Sequence, residues 1–148
     1  MSAEHRVFVD TNILVYAYDT DAGQKNEIAR DLLTNLWKIR RGTLSTQVLQ
    51  EFYVTVTRKL SKPLDPAAAR HVVATYRSWP VQLIDVSAIC QASEIAERHE
   101  LSFWDGLIVA AAHRAGALHV LSEDLQAGQI IDGVRIENPL MERGTKGE

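Results

Sequence analysis

The sequence predicts an α/β fold with a central parallel sheet of about five strands flanked by helices. Three observations predict it. Short runs of β-branched and aliphatic residues alternate along the chain with longer segments whose apolar residues recur at helical spacing. Parallel strands require crossover connections, so this alternation implies parallel pairing. One helical segment, around LIVAAA, is apolar nearly all round, as a buried helix is. With 148 residues, 46% hydrophobic and 24% charged, the chain is long enough to bury a core without disulfides or a structural metal.

Arg6 to Val9 reads as the first strand. The Asp10-Thr11-Asn12 that follows suits a helix start, because all three residue types cap orphan N–H groups well. Asn12 to Tyr18 is then a short helix, and Lys25 to Arg41 a longer one with Ile28, Leu32, Leu36 and Ile39 on one face, ended by Gly42. Thr43 to Ser45 is the second strand, followed by a helix from about Gln47 to Leu60 carrying Val48, Leu49, Phe52 and Val56. Asp65 and Pro66 stand in the order favoured at a helix start. Val81 to Val86 is the third strand and Ala88 to His99 a further helix; the buried helix, Ser102 to Ala115, is closed by Gly116. His119 to Ser122 and Val134 to Ile136 complete the sheet. Residues 1–140 read as one domain, and residues 141–148, ending RGTKGE, as a flexible tail.

Composition excludes several classes. No apolar stretch approaches the length of a membrane span, and MSAEHR is not a secretory leader, so the expectation is a cytoplasmic protein with no membrane contact. The single cysteine, Cys90, cannot form an internal disulfide and reads as a small core residue. His5, His71, His99, His113 and His119 lack zinc-ligand spacing. A formal charge of −3, from 16 basic and 19 acidic residues, argues against a broad nucleic-acid footprint but leaves room for a local one.

The chemistry lies in the acids. Asp10 follows the first strand, Glu51 lies about a turn into the helix after the second, Asp105 stands at the start of the buried helix, and Glu123 and Asp124 follow the fourth strand. Ligands of open parallel sheets bind outside the carboxyl ends of the strands, so these segments can converge. Each acid has a plainer role available: Ser102 and Asp105 have capping-box spacing, Glu51 alone is an ordinary solvated helix acid, and Asp124 alone is a loop cap. As a group they favour a different reading. Carboxylates crowded in a half-buried place repel one another and are tolerated with a cation, and Mg²⁺ or Mn²⁺ prefers such oxygen donors.

Taken together, DTNILVY, the Glu51 helix, FWDGLIVAAA and LSED resemble the PIN-domain ribonucleases, and more closely the VapC-type toxins of bacterial toxin–antitoxin systems. The likeness spans nearly the whole chain. It implies a PIN-like three-layer sandwich and an endonuclease that uses Mg²⁺ or Mn²⁺ to cut RNA, leaving a 5′-phosphate and a 3′-hydroxyl. It places the acidic set on Asp10, Glu51, Asp105 and Asp124, as metal ligands and catalytic residues, with Thr11, Asn12 and Ser122 supporting them. Glu123 adds an acid beside Asp124; the motif favours Asp124 as the ligand. The resemblance also implies a homodimer and a cognate antitoxin that covers the cleft and inserts an Arg among Asp10, Asp105 and Asp124, with Tyr16, Tyr18 and Tyr53 as candidate contacts.

Arg40, Arg41, Arg58, Lys59 and Lys62 are candidates to hold RNA phosphates, although cations near helix C-termini are favoured anyway. Trp37, Trp79 and Trp104 read as core anchors. Two other functional classes stand beside the nuclease. A phosphoacceptor signalling domain needs an acceptor Asp after the third strand and a Lys after the last; Asp85 falls inside the expected third strand, and no Lys follows the fifth strand before Lys146. A PIN-like module that only binds partners would not need all four acids.

Overall fold

Residues 5–141 are described by the computed structural model. They form six strands and six α-helices: β1 (Arg6–Val9), α1 (Thr11–Tyr16), α2 (Gln24–Ile39), β2 (Gly42–Ser45), α3 (Thr46–Arg58), α4 (Pro66–Thr75), β3 (Val81–Gln82), α5 (Val86–His99), α6 (Phe103–Arg114), β4 (Ala117–Leu121), β5 (Ile130–Ile131) and β6 (Val134–Glu137). A single 3₁₀ turn, Tyr76–Ser78, follows α4. The strands lie in the order β3-β2-β1-β4-β6-β5, parallel throughout except for the β5–β6 pair.

The sheet is filled by apolar side chains from both strands and helices. Phe8, Val9, Leu44, Val120 and Ile136 are fully buried, as are Ile13 and Leu14 of α1 and Val48, Phe52 and Val56 of α3. Each such side chain contributes about 1.5–3 kcal/mol relative to leaving it in water. As its composition predicts, α6 is buried from Gly106 to Ala112, and it lies on β2, β4 and β6 with α5 packed over it. Gly106 permits that approach: a Cβ there would stand 2.6 Å from the Ala92 carbonyl oxygen.

Several expectations are corrected in detail. Gly42 does not terminate α2. Arg40 does, in the left-handed region at φ 59°, donating its N–H to the Leu36 carbonyl at 2.9 Å, and Gly42 opens β2. Gly42 is required for packing, since a Cβ would come within 2.4 Å of the Trp79 ring. The third strand is only two residues long; Asp85 lies beyond it and caps α5 by accepting from the Ala88 N–H at 2.8 Å. The sheet has a sixth strand, β5, joined to β6 by Asp132 and Gly133, both at positive φ as a two-residue hairpin turn demands. Cys90 is exposed on α5 rather than in the core, and Trp104 is 61% exposed. Apart from Met141, the expected tail lies outside the described residues.

Strand order places the site. From β1 the chain moves outward to β2 and β3, then returns to lay β4 on the other side of β1. The carboxyl ends of β1 and β4 therefore flank a switch point, where side chains following both strands face one crevice.

Candidate active site

Asp10 leaves β1 and caps α1 with extended backbone, φ −76° and ψ 162°. Its N–H donates to the Leu121 carbonyl of β4 at 3.0 Å, which fixes the junction. One carboxylate oxygen accepts from the Thr11 N–H at 2.6 Å; the other accepts from the Ser122 hydroxyl at 2.7 Å and the Asn12 amide at 3.4 Å. Asp10 is only 5% exposed. Burial pushes its carboxyl up to about 6, against the pull of the Ser122 and Thr11 hydrogen bonds, and the nearby Asp124 and Glu51 carboxylates push the same way.

Of the other acids, Glu51 and Asp124 line one cleft together. Glu51, on α3, accepts from the Thr11 hydroxyl at 2.7 Å on one oxygen and from the Gln47 amide at 3.1 Å on the other. Asp124 accepts from the Asn12 amide at 3.1 Å, and its own N–H donates to Ser122 Oγ at 3.1 Å. Asp105 sits in the first turn of α6, where Ser102 caps the helix by accepting from the Asp105 N–H at 3.0 Å. Burial raises the Asp105 carboxyl, opposed by Ser102 and assisted by Asp124 and Glu51. Asp10 and Asp105 thus each feel Glu51 and Asp124, so four carboxylates from four segments share one electrostatic neighbourhood.

Glu123 turns elsewhere. It accepts from the Tyr16 hydroxyl at 2.6 Å and forms an ion pair with Lys25, while its N–H donates to Asn12 Oδ1 at 2.9 Å. Burial alone would raise its carboxyl; Lys25 and Tyr16 outweigh that and hold it below the ordinary value. The ammonium of Lys25 also lies 5.1 Å from the centre of the Tyr16 ring. Asn12 therefore reads both neighbours, with its carbonyl on the Glu123 backbone and its amide on the Asp124 carboxylate.

An open cleft of about 440 Å³ is lined by two of the acids, Glu51 and Asp124, with Thr11, Asn12, Tyr16 and Lys59 among others; Asp10 and Asp105 are not part of its wall. A larger and almost wholly apolar groove between α3 and α4, lined by Leu49, Tyr53, Val54 and Val73, contains none of the acids and no group suited to their chemistry. Of the basic candidates, Lys59 lines the acidic cleft. Arg58 is exposed at the end of α3. Arg40 and Arg41 precede β2, whereas Asp10 and Asp124 follow β1 and β4; in a parallel sheet this puts them at opposite edges, about 13 Å apart along a four-residue strand. Arg41 donates to the His5 carbonyl there. Tyr18 is half-buried and packs edge-on against Phe52.

The donor set suits a hard divalent cation: four carboxylates, with no thiolate or imidazole among them. Asn12 and Thr11 hydrogen bonds occupy the space between the carboxylates, and among the described residues no three His, Cys, Asp or Glu are grouped as ready-made ligands. The fit therefore lies in the chemistry of the donors. Sequence reading missed Gln47 and Lys25. Gln47 was signalled by its place one turn before Glu51, whereas Lys25 lies 98 residues from Glu123 with no local signature.

A parallel α/β sheet with an acidic crevice at its switch point defines a class that a comparison of the whole chain then narrows. The chain belongs to the PIN-domain family, whose model matches residues 7–130. In fold it is similar to the Mycobacterium tuberculosis toxin VapC20, described as cleaving the sarcin–ricin loop (TM-score 0.60, 21% identity, 80% of this chain and 89% of that one). It is similar also to DNA-bound VapBC from Salmonella typhimurium (0.64, 21%, 91% and 98%) and to a toxin–antitoxin complex from Klebsiella pneumoniae (0.67, 16%, 90% and 97%). No curated protein matches it in sequence.

Proposed function

We propose that this chain is a ribonuclease toxin, an endonuclease that hydrolyses RNA phosphodiester bonds with Mg²⁺ or Mn²⁺ and is restrained by a cognate antitoxin. The observation that carries the reading is the shared field of Asp10, Glu51, Asp105 and Asp124 at the switch point, with Asp10 buried in it. Family membership and the toxin neighbours support it.

Asp10, Asp105, Asp124 and Glu51 would hold the ion, which when bound lowers the pKa of water and offsets charge developing on the phosphate. The protein's own part is preorganisation. Ser122 and the Thr11 N–H each hold one oxygen of the buried Asp10 carboxylate and so fix its orientation. Thr11 and Gln47 grip both oxygens of Glu51, so its carboxylate is held in one orientation for the ion. Asn12 holds Asp124. Lys59, at the cleft wall, supplies a cation for a flanking phosphate.

Among the described residues no helix is long and apolar enough to cross a membrane, and the compartment proposed is the cytoplasm. The partners proposed are a second copy of the chain and an antitoxin that places an Arg guanidinium among Asp10, Asp105 and Asp124, where it would take the place of the metal. The VapBC and toxin–antitoxin neighbours support an antitoxin partner. Asp85 is committed to a helix cap and to Arg114 at 3.6 Å, which leaves the phosphoacceptor reading without an acceptor. Purified protein should cleave single-stranded RNA only with Mg²⁺ or Mn²⁺, and Asp10→Asn or Asp105→Asn should abolish cleavage. Undiminished cleavage in excess EDTA would overturn the proposal.

A further inference from the structure

Gln47 is 5% exposed in the first turn of α3, one turn before Glu51. Its amide nitrogen donates to Glu51 at 3.1 Å. Its carbonyl oxygen is buried with no partner among the described residues. An unpaired buried acceptor is costly, and native structures keep few of them. Turning the amide over would be worse, because it would set a carbonyl oxygen against a carboxylate and leave the NH₂ unpaired. The amide is therefore committed to Glu51 at the expense of its own oxygen.

We infer that Gln47 is a positioning residue whose buried amide holds Glu51 in the orientation that binds a divalent cation. The inference rests on the metal-dependent reading of the four acids. Thr11 fixes one Glu51 oxygen and Gln47 the other, so neither rotation of the carboxylate nor withdrawal into solvent is free. Hydrogen bonds of this kind behind a ligand typically alter metal affinity 10- to 100-fold when removed. A residue kept only for packing behaves differently: replacing it by an apolar side chain of similar volume relieves the unpaired oxygen and costs the site nothing.

The test uses Gln47→Met and Gln47→Leu in the full chain, with Mn²⁺ binding followed by calorimetry and unfolding followed in EDTA. The expected result is a Mn²⁺ dissociation constant raised at least tenfold while the EDTA unfolding midpoint is unchanged or higher. Unchanged Mn²⁺ affinity in both variants would overturn the inference, leaving the metal-dependent reading intact. A lowered midpoint that accompanies the loss of affinity in both variants would also overturn it, by assigning Gln47 a structural role. Failure of the unsubstituted chain to bind Mn²⁺ would remove the metal reading and this inference with it.

Discussion

Ser122 donates its hydroxyl to Asp10 at 2.7 Å across the junction of β4 and β1, although 112 positions separate the two residues. The same oxygen accepts from the Asp124 N–H at 3.1 Å and the Leu125 N–H at 3.4 Å. One fully buried serine therefore orients the buried acid of the first strand and shapes the loop carrying the acid after the fourth. Ser122→Ala should raise the Asp10 carboxyl above its present value of about 6, because a hydrogen bond that favours the charged form is gone. It should also lower stability by about 1–3 kcal/mol at neutral pH, the cost of orphaning buried partners. NMR titration of Asp10 and denaturant unfolding check both; an Asp10 carboxyl that does not move would count against the role assigned to Ser122.

Asp10 links stability to pH with a definite sign. Its carboxyl lies at about 6 in the folded chain against an ordinary 3.8, so the folded state holds a proton that the unfolded state releases. The stabilisation this gives is fully present below about pH 4 and is lost as pH rises through 6. Without metal, Asp10→Asn should remove that loss, gaining up to about 3 kcal/mol relative to the unsubstituted chain above pH 6 and flattening the profile between pH 4 and 6. Unfolding in EDTA across this range is the measurement, and lower stability of the variant at pH 7 is the contrary result.

The neighbouring acids Glu123 and Asp124 should separate cleanly. Glu123 is engaged with Lys25 and Tyr16, whereas Asp124 faces the cleft beside Asn12. Asp124→Asn is expected to lower Mn²⁺ affinity at least tenfold. Glu123→Gln should change affinity little, because its amide can still accept from Tyr16 and its backbone N–H still reaches Asn12. Calorimetry on the two variants decides it, and the reverse order of effects would reassign the ligand.

Much of this was legible in the sequence because the strongest signals are local. The apolar strand followed by Asp10-Thr11-Asn12, the all-apolar α6 behind Ser102, and the Asp65-Pro66 helix start all sit within a few residues of what they specify. The β5–β6 hairpin is not evident from the sequence although Asp132-Gly133 between Ile131 and Val134 is a recognised turn signal, because a two-residue strand has too few positions to show alternation. Cys90 was misplaced because its apolar neighbours in sequence point to both sides of α5, and only packing against α6 decides which side is buried. The direction of Glu123 depends on Lys25 in α2 and Tyr16 in α1, which no local pattern connects to it.

Packing of α5 against α6 supplies a test of the scaffold alone. Gly106→Ala would force a Cβ to within 2.6 Å of the Ala92 carbonyl oxygen and 3.2 Å of the Ala96 Cβ, and a backbone atom cannot swing aside. The variant should lose about 1–3 kcal/mol or more despite the better helix propensity of alanine, and the α6 end that carries Asp105 should loosen with it. Denaturant unfolding with unchanged or higher stability would contradict the close approach of the two helices.

Asp10, Glu51, Asp105 and Asp124 are proposed to hold together the divalent ion used in RNA cleavage. The most direct test is a crystal of the active protein soaked in Mn²⁺ and measured for anomalous scattering. The expected result is a peak between Asp10 and Asp105, within ligand distance of Asp124, that is absent from Asp10→Asn crystals. A protein that cleaves RNA in the presence of Mn²⁺ yet shows no ion at these carboxylates would contradict it.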